Sequence, residues 1–439
     1  MKSNLKWVNW SKSVTSYPKH IVFPATEKEL FTLVYKAIKE QTTIKVVGAG
    51  HSCSQISATK GGYLLDLKNY NKVINFSASD RLLTVQSGIS LKAIATFALQ
   101  NNLALDNLGT IVSQSIAGAI STGTHGSGIT HGAIDQSIVA FTVLTGEGKL
   151  KFFDKRLNKK EFNLAVVGLG AIGVISTVTI KLVPNYNLKV NTQSISFNTM
   201  LKNLNACYKE DYMRFWWAPH TNKVNYWIAS KTDKNPTKTN KFKDWYTNIF
   251  LGNIVHEIGL WFTSFAPKYI PKLNHIMFNL LLKKEVKDTV SDFLAAFTLP
   301  ILVKQKVMEY GVPINEVAVV LKKIKKLLND KNYKVHMPIE IRFAPKNKAA
   351  LSMAYKRETC YIGIIAYKPF GKDIDYKNYF KDVHAIFEAH KGRHHWAKHT
   401  FYTKEQIRDN YPDWENFVSL KNKLDPNGIF MNTFLKRLF

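Results

Sequence analysis

The sequence predicts an α+β chain, and three observations carry that prediction. Short β-branched runs alternate with amphipathic helical stripes over the first 182 residues, glycine-rich turns separate them, and strand-like runs return at 339–343 and 360–367 after a long helical stretch. At 439 residues with 45% hydrophobic content, the chain can form two or three domains that each bury a core.

Thr26 followed by Glu29 has capping-box spacing, and Leu30, Leu33, Val34, Ala37 and Ile38 form an apolar helical stripe. The β-branched run 43–47 then predicts a strand that ends in the turn Gly48-Ala49-Gly50-His51-Ser52. Further strands are expected at 63–67, 73–76 and 82–86, with a helix at 91–100. The stretch 109–132 is too poor in charge for an exposed linker and too rich in glycine for a regular helix, so its backbone is expected to lie against a flat polar partner. Strands at 138–144 and 174–182 follow, the second preceded by Gly168-Leu169-Gly170-Ala171-Ile172-Gly173. Pro184 marks a domain boundary, with one domain over 1–182, a second over 183–399 and a closing segment over 400–439.

Residues 230–247, rich in Lys, Thr and Asn, predict a mobile surface loop. From Phe250 to Phe265 apolar residues recur at helical spacing, and a second apolar run spans 276–282. Lys268, Lys272, Lys283 and Lys284 flank them, so 230–290 reads either as a helix pair packed on the domain or as an amphipathic hairpin at a membrane surface. Both readings stand at this point.

The net charge of +29 draws anionic partners, yet the lysines are scattered and no zinc finger, RNA-recognition signature or basic recognition helix accompanies them. A nucleic-acid partner is therefore not expected, and a basic surface facing acidic lipid suits the charge better. The opening MKSNLKWVNW lacks the apolar run of a secretory leader, and Cys53, Cys207 and Cys360 have no metal-knuckle or disulfide-framework spacing. A cytoplasmic protein with reduced thiols is expected, with association to the cytoplasmic face of a membrane as an option. His394, His395 and His399 lack the regular spacing and carboxylate companions of a metal site, so no metal is expected.

The glycine segments taken singly are weak. Gly168 to Gly173 spells G-x-G-x-x-G but opens into a strand instead of a helix, and no glycine loop ends in Gly-Lys-Ser/Thr. Five segments in one order are more specific. The run VVGAGHSCS (46–54) resembles the flavin-attachment loop of vanillyl-alcohol-oxidase-type FAD proteins, and GTIVSQSIAGAISTGTHGSG (109–128) resembles the segment running beneath their flavin and pyrophosphate. Glu340-Ile341-Arg342, His395-Trp396-Ala397-Lys398 and LDPNGIFMNTFL (424–435) resemble signatures of the aldonolactone oxidoreductases within that group.

The resemblance implies a two-subdomain FAD-binding (PCMH-type) domain and a substrate cap built on a mainly antiparallel sheet with helices. It implies FAD bonded covalently to His51, with Val47, Gly48, Ala49, Gly50, Ser52 and Ser54 around it. Gly109, Ser115, Gly118, Ala119, Thr122, Gly123, His125 and Gly126 fall on the path along the cofactor, and Gly170, Gly173, Val174, Ile175 and Lys398 complete its expected contacts. Glu340, Arg342, Lys398 and Ser115 are the expected catalytic residues. In a strand the period of two sends Glu340 and Arg342 to one face, where a carboxylate can hold substrate hydroxyls beside a cation. Hydride removal from a carbinol carbon leaves negative charge on the flavin and requires the hydroxyl proton to depart, so cations belong nearby. Arg342 polarising the substrate oxygen and Lys398 steadying the flavin is one assignment, and the exchange of these roles is the other. The glycine at 109, where related galactonolactone dehydrogenases carry alanine, implies an oxidase that admits O₂.

The implied activity is oxidation of an aldono-1,4-lactone (L-gulono-, L-galactono- or D-arabinono-lactone) at C2 by hydride transfer to flavin N5, giving an ascorbate-type product and H₂O₂. Two alternatives remain. One is oxidation of an open-chain alditol, and the other is a basic membrane- or nucleic-acid-associated binding protein on the same scaffold.

Overall fold

A computed structural model describes residues 5–207, 210–238, 240–282 and 285–439. The helix Glu27–Lys39 starts where the capping spacing places it: Thr26 accepts the Glu29 amide through its hydroxyl at 3.2 Å, and Leu30, Val34 and Ala37 are buried. This helix covers a small parallel sheet in the order His20–Val22, Tyr63–Asp66, Ile44–Val47. A second, antiparallel sheet has the order Leu150–Asp154, Ile138–Leu144, Val174–Lys181, Leu82–Gln86, Val73–Ser77. The third sheet, of eight strands, is antiparallel throughout and runs Val286–Asp292, Asn187–Ser196, Lys223–Thr232, Tyr212–Trp217, Ile339–Ala344, Thr359–Tyr367, Gln305–Pro313, Arg393–His394. The α+β class and the mainly antiparallel second sheet system are thus those expected.

One continuous apolar core joins the second sheet to the third and includes Ile94, Ile120 and Phe141 on one side and Phe215, Ile341 and Ile362 on the other, while the small parallel sheet packs in a separate core with Leu30, Val34 and Ala37. The chain end returns to the small parallel sheet. Ile44 N–H donates to the Ile429 carbonyl at 2.8 Å, and the Asn432 amide donates to the carbonyls of Gln55, Ile56 and Ala58. Asp425 shapes this return by accepting the amides of Ile429 and Phe430 around Gly428, whose φ of +64° suits glycine.

Three local expectations need correction. Within 109–132 a short helix, Ile116–Ser121, does form, because Ser115 caps it and Ile116, Ala119 and Ile120 bury fully on one side. The loop expected at 230–247 begins inside the strand Lys223–Thr232 and ends in the helix Lys241–Trp245, which Asn240 caps. The helix over 250–265 is also not uniform: Tyr246–Val255 winds in wider i→i+5 turns before the α-helix His256–Phe265. Asn253 accounts for part of that widening, since its buried amide donates to the Asn248 and Pro300 carbonyls. The second apolar run joins the helix Ile270–Met277. Lys283 and Lys284, invoked as its flanking charges, lie outside the described residues.

Candidate active site

Two concavities meet at His51, Gln114 and Ala397. The first is a channel of about 850 Å³ against the small parallel sheet. Its wall begins where the strand Ile44–Val47 runs out into the turn of Gly48, Ala49, Gly50, His51 and Ser52. Gly50 has φ +67°, and a Cβ added to Gly48 would sit 2.1 Å from the Ser115 hydroxyl, so the turn can lie on the capped helix only as glycine. Ser115, Gly118 and Thr122 form the facing wall, and Gly170, Gly173 and Ile175 close the far side. The cation of the wall is Lys45, held by the carbonyls of Gly170 (3.2 Å) and Phe430 (2.9 Å). Backbone amides, small residues and one buried ammonium are the donor set that an extended diphosphate cofactor requires, so the channel fits FAD.

The second concavity, about 1680 Å³, opens on the large sheet. It shares His51, Gln114 and Ala397 with the channel. Glu340 and Arg342, alternate residues of the strand Ile339–Ala344, both reach it and bond to each other, Arg342 Nη2 donating to Glu340 Oε1 at 2.7 Å. Trp216 Nε1 donates to the same carboxylate oxygen at 2.9 Å, and Arg342 also donates to the Thr110 hydroxyl. Burial pushes the Glu340 carboxyl up, but Arg342 and the Trp216 hydrogen bond outweigh it and hold it below the usual range. Beside this pair, Arg214 lies against Arg342 across the strands and between the rings of Trp216 and Trp227 (4.7 and 4.5 Å), and burial followed by Arg342 lowers its pKa to about 9.

The same cavity is lined by Lys398, His125, His395 and Glu309. Glu309 comes from the strand Gln305–Pro313, and its Oε1 lies 2.5 Å from His125 Nε2, while His125 stacks on Tyr361 at 3.6 Å. Burial raises the Glu309 carboxyl, yet His125, His395 and Lys398 together hold it below the ordinary carboxylate range. The segment His395-Trp396-Ala397-Lys398 is tied directly to the channel turn. The Ser54 hydroxyl donates to the Trp396 carbonyl, and the Cys53 amide to that of Ala397, both at 2.7 Å. That tie brings Lys398 beside His51. Burial, then Lys398 and Lys304, lowers the His51 pKa to about 4, so its imidazole is neutral at neutral pH, with Nε2 2.7 Å from the Ser113 hydroxyl.

Several sequence-derived positions fall elsewhere. Ser115, read as a residue of the substrate side, lines the channel and caps a helix instead. Ser54 spends its hydroxyl on the Trp396 carbonyl, and Ala119 and Val174 are core residues. Gly123 and Gly126 line neither concavity; Gly126 packs against Asn107, whose Oδ1 would be 1.9 Å from an added Cβ. Gly109, His125 and Lys398, read as cofactor contacts, line the second concavity. The histidine trio considered for metal is dispersed, with His394 buried in an aromatic cluster, whereas His125, Glu309 and His395 bring their ligand atoms within 4.8 Å. In that group His125 and Glu309 already satisfy each other. Glu309 was missed in the sequence, although a lone carboxylate inside the apolar run Val307 to Val312 is a visible signal.

The fold and the paired concavities define an FAD-dependent oxidoreductase with a cofactor domain and a substrate cap. Residues 18–153 match the FAD binding domain family, and residues 178–438 match the D-arabinono-1,4-lactone oxidase family. An L-gulonolactone oxidase of Scyliorhinus torazame is 32% identical, covering 98% of this chain and 97% of its own. An L-gulono-1,4-lactone dehydrogenase of Mycobacterium tuberculosis is 29% identical, covering 98% of each. A crystal structure of cholesterol oxidase from B. sterolicum superposes with a TM-score of 0.79 over 99% of this chain and 96% of that one at 16% identity, a likeness of fold. The chain belongs to the D-arabinono-1,4-lactone oxidase family.

Lys45 supplies a pH signature. Burial lowers its pKa from 10.5 to about 7, only partly opposed by Asp425, so between those values the unfolded chain binds the extra proton. Stability therefore rises with pH across that window, by on the order of 5 kcal/mol at 1.36 kcal/mol per unit. Urea unfolding of FAD-free protein from pH 7 to 10 should show this rise in the wild type relative to Lys45→Met, and parallel curves for the two proteins would refute the assignment.

Proposed function

We propose that this chain is an FAD-dependent oxidase of aldono-1,4-lactones, with L-gulono-, L-galactono- or D-arabinono-lactone as the substrate class and O₂ as the electron acceptor. The observation that carries the reading is the junction of channel and cavity at His51, with Arg342, Glu340 and Lys398 in the cavity wall. Bound FAD supplies the acceptor for the hydride and returns the electrons to O₂ as H₂O₂. The other tasks fall to the chain. Loss of hydride from C2 and of the hydroxyl proton gives a 2-keto lactone, which tautomerises to an ascorbate-type enediol. Arg342, pinned by Glu340 and Thr110, polarises the substrate oxygen from a fixed position. Lys398 adds a second cation to the cavity wall, which would offset the negative charge that hydride transfer leaves. Glu340 keeps Oε2 for substrate hydroxyls. Beside them Gly109 leaves room for O₂, since an added Cβ would meet only the His125 carbonyl, at 3.2 Å. The alditol alternative is not favoured, because the named relatives are lactone oxidoreductases.

The same reading has His51 bonded covalently to the flavin, which its neutral imidazole at the mouth of the channel supports. Acid precipitation should leave the flavin spectrum in the wild-type pellet and release it from His51→Ala; release from both would refute the bond. Turnover is the wider test. L-Gulono-1,4-lactone should generate H₂O₂ where xylitol does not, and Lys398→Met should remain yellow and folded while turnover falls about 100-fold or more. A Lys398→Met enzyme with wild-type kinetics would remove Lys398 from the mechanism.

A second reading concerns the helices at 241–282. No helix among the described residues is long and apolar enough to cross a membrane. Phe242, Phe262 and Phe265 are nonetheless 61–73% exposed, with Trp245, Ile254 and Ile258 also open to solvent. On a chain of net charge +29 these apolar side chains, with Lys268 and Lys272, suit docking to anionic lipid, on the cytoplasmic face of a membrane. The protein should float with phosphatidylserine liposomes at low salt, and Phe262→Ser/Phe265→Ser should lower the bound fraction several-fold. A wild type that stays at the bottom of the gradient would end this reading.

A further inference from the structure

The sheet register sets three residues in a row across the cavity floor. Glu309 stands opposite Gly363, and Gly363 stands opposite Glu340. The two carboxylates are therefore two strand spacings apart at their backbones, about 10 Å, with a residue lacking a side chain between them. All three line the cavity. Both carboxylates are fixed in the same manner. Glu309 spends Oε1 on His125, and Glu340 spends Oε1 on Arg342 and Trp216. Neither Oε2 has a hydrogen-bond partner among the described residues, and the Glu309 Oε2 lies 3.9 Å from where a Cβ of residue 363 would stand.

We propose that Glu309 is a second substrate-binding carboxylate, which with Glu340 holds a cyclic polyol from opposite edges across the gap at Gly363. The inference rests on the lactone reading above and specifies how the ring is held. Two ionised acceptors facing one gap select a ligand that presents hydroxyl donors on both edges of a compact ring. The low pKa of each carboxyl keeps both as acceptors, and the charge of Glu309 acts to raise that of Glu340, the mark of two negative charges that a bridging donor would relieve. Arg342 marks the Glu340 edge as the one that receives the reacting hydroxyl, which leaves the hydroxyls remote from it to Glu309.

Gly363 is not required by the backbone. Its φ is not positive, and an added Cβ would meet Glu340 Cβ at 3.7 Å and the Glu340 carbonyl at 3.8 Å, ordinary contacts. Alanine at 363 should therefore fold while narrowing the gap, which makes it a probe independent of the His125 contact that Glu309→Gln also alters.

The test is anaerobic single-turnover reduction of the holoenzyme, which separates the lactone Kd from the limiting rate of flavin reduction. A parallel measurement follows thermal stabilisation by L-gulono-1,4-lactone. Two probes are compared: L-gulono-1,4-lactone, and 2-hydroxy-γ-butyrolactone, which keeps the ring and reacting hydroxyl and lacks the remote ones. Glu309→Gln should raise the Kd for the first by about 10- to 100-fold and for the second by less than about 3-fold, with the limiting rate altered less than either binding difference. Gly363→Ala should weaken both probes at least about 10-fold with flavin content unchanged. If the wild type is reduced by lactone and both variants bind L-gulono-1,4-lactone like the wild type, the grip is refuted while the lactone reading stands. Equal weakening of the two probes by Glu309→Gln, or a stoichiometric divalent metal lost in that variant, would also overturn it. A wild type that neither probe reduces would overturn the lactone reading itself, and the grip with it.

Discussion

Everything in this active site depends on the three hydrogen bonds that join the Cys53–Ser54 backbone and hydroxyl to the carbonyls of Trp396 and Ala397. They connect a turn from the parallel sheet with a segment that leaves the edge of the eight-stranded sheet, more than 340 residues later in the chain. With them His51 and Lys398 share one corner, where burial and then the lysine's field keep the imidazole neutral. Trp396 is buried and donates its indole N–H to the Leu351 carbonyl, which fixes the segment from the cap side as well.

The buried charges on the sheet follow a similar logic of mutual constraint. Arg214 and Arg342 lie side by side, an arrangement that would repel were it not for Glu340, which accepts from Arg342 and Trp216, and Thr110 as a shared acceptor. Removing one partner from such a set leaves an uncompensated charge, which costs more than the intact network contributes. The set is therefore rigid, which suits a surface that must present a cation and a carboxylate to a small polar ring at fixed positions.

How much of this was legible beforehand follows from how local each signal is. The Thr26 cap, the strand after it and the Gly48–Ser52 turn are written in adjacent residues, and the structure repeats them. Glu340 and Arg342 were legible together because a two-residue period is a local fact. Arg214 was not, since its relation to Arg342 exists only through strand pairing across 128 residues of chain. The row Glu309, Gly363, Glu340 is hidden for the same reason, as it belongs to register and to no single segment. The short helix at Ile116–Ser121 escaped because composition penalised its glycine while burial of its isoleucines decided the matter. The widened turns near Asn253 depend on a partner at Pro300, outside any helical window.

The closing residues have a consequence for biosynthesis. Lys45 in the channel wall is held by the carbonyl of Phe430, and the strand beside it by that of Ile429. A chain still emerging from the ribosome has the glycine turn and the capped helix but lacks the carbonyl that seats Lys45 in the channel wall. The channel's lysine is therefore seated only once the segment after Asp425 has folded back onto the parallel sheet.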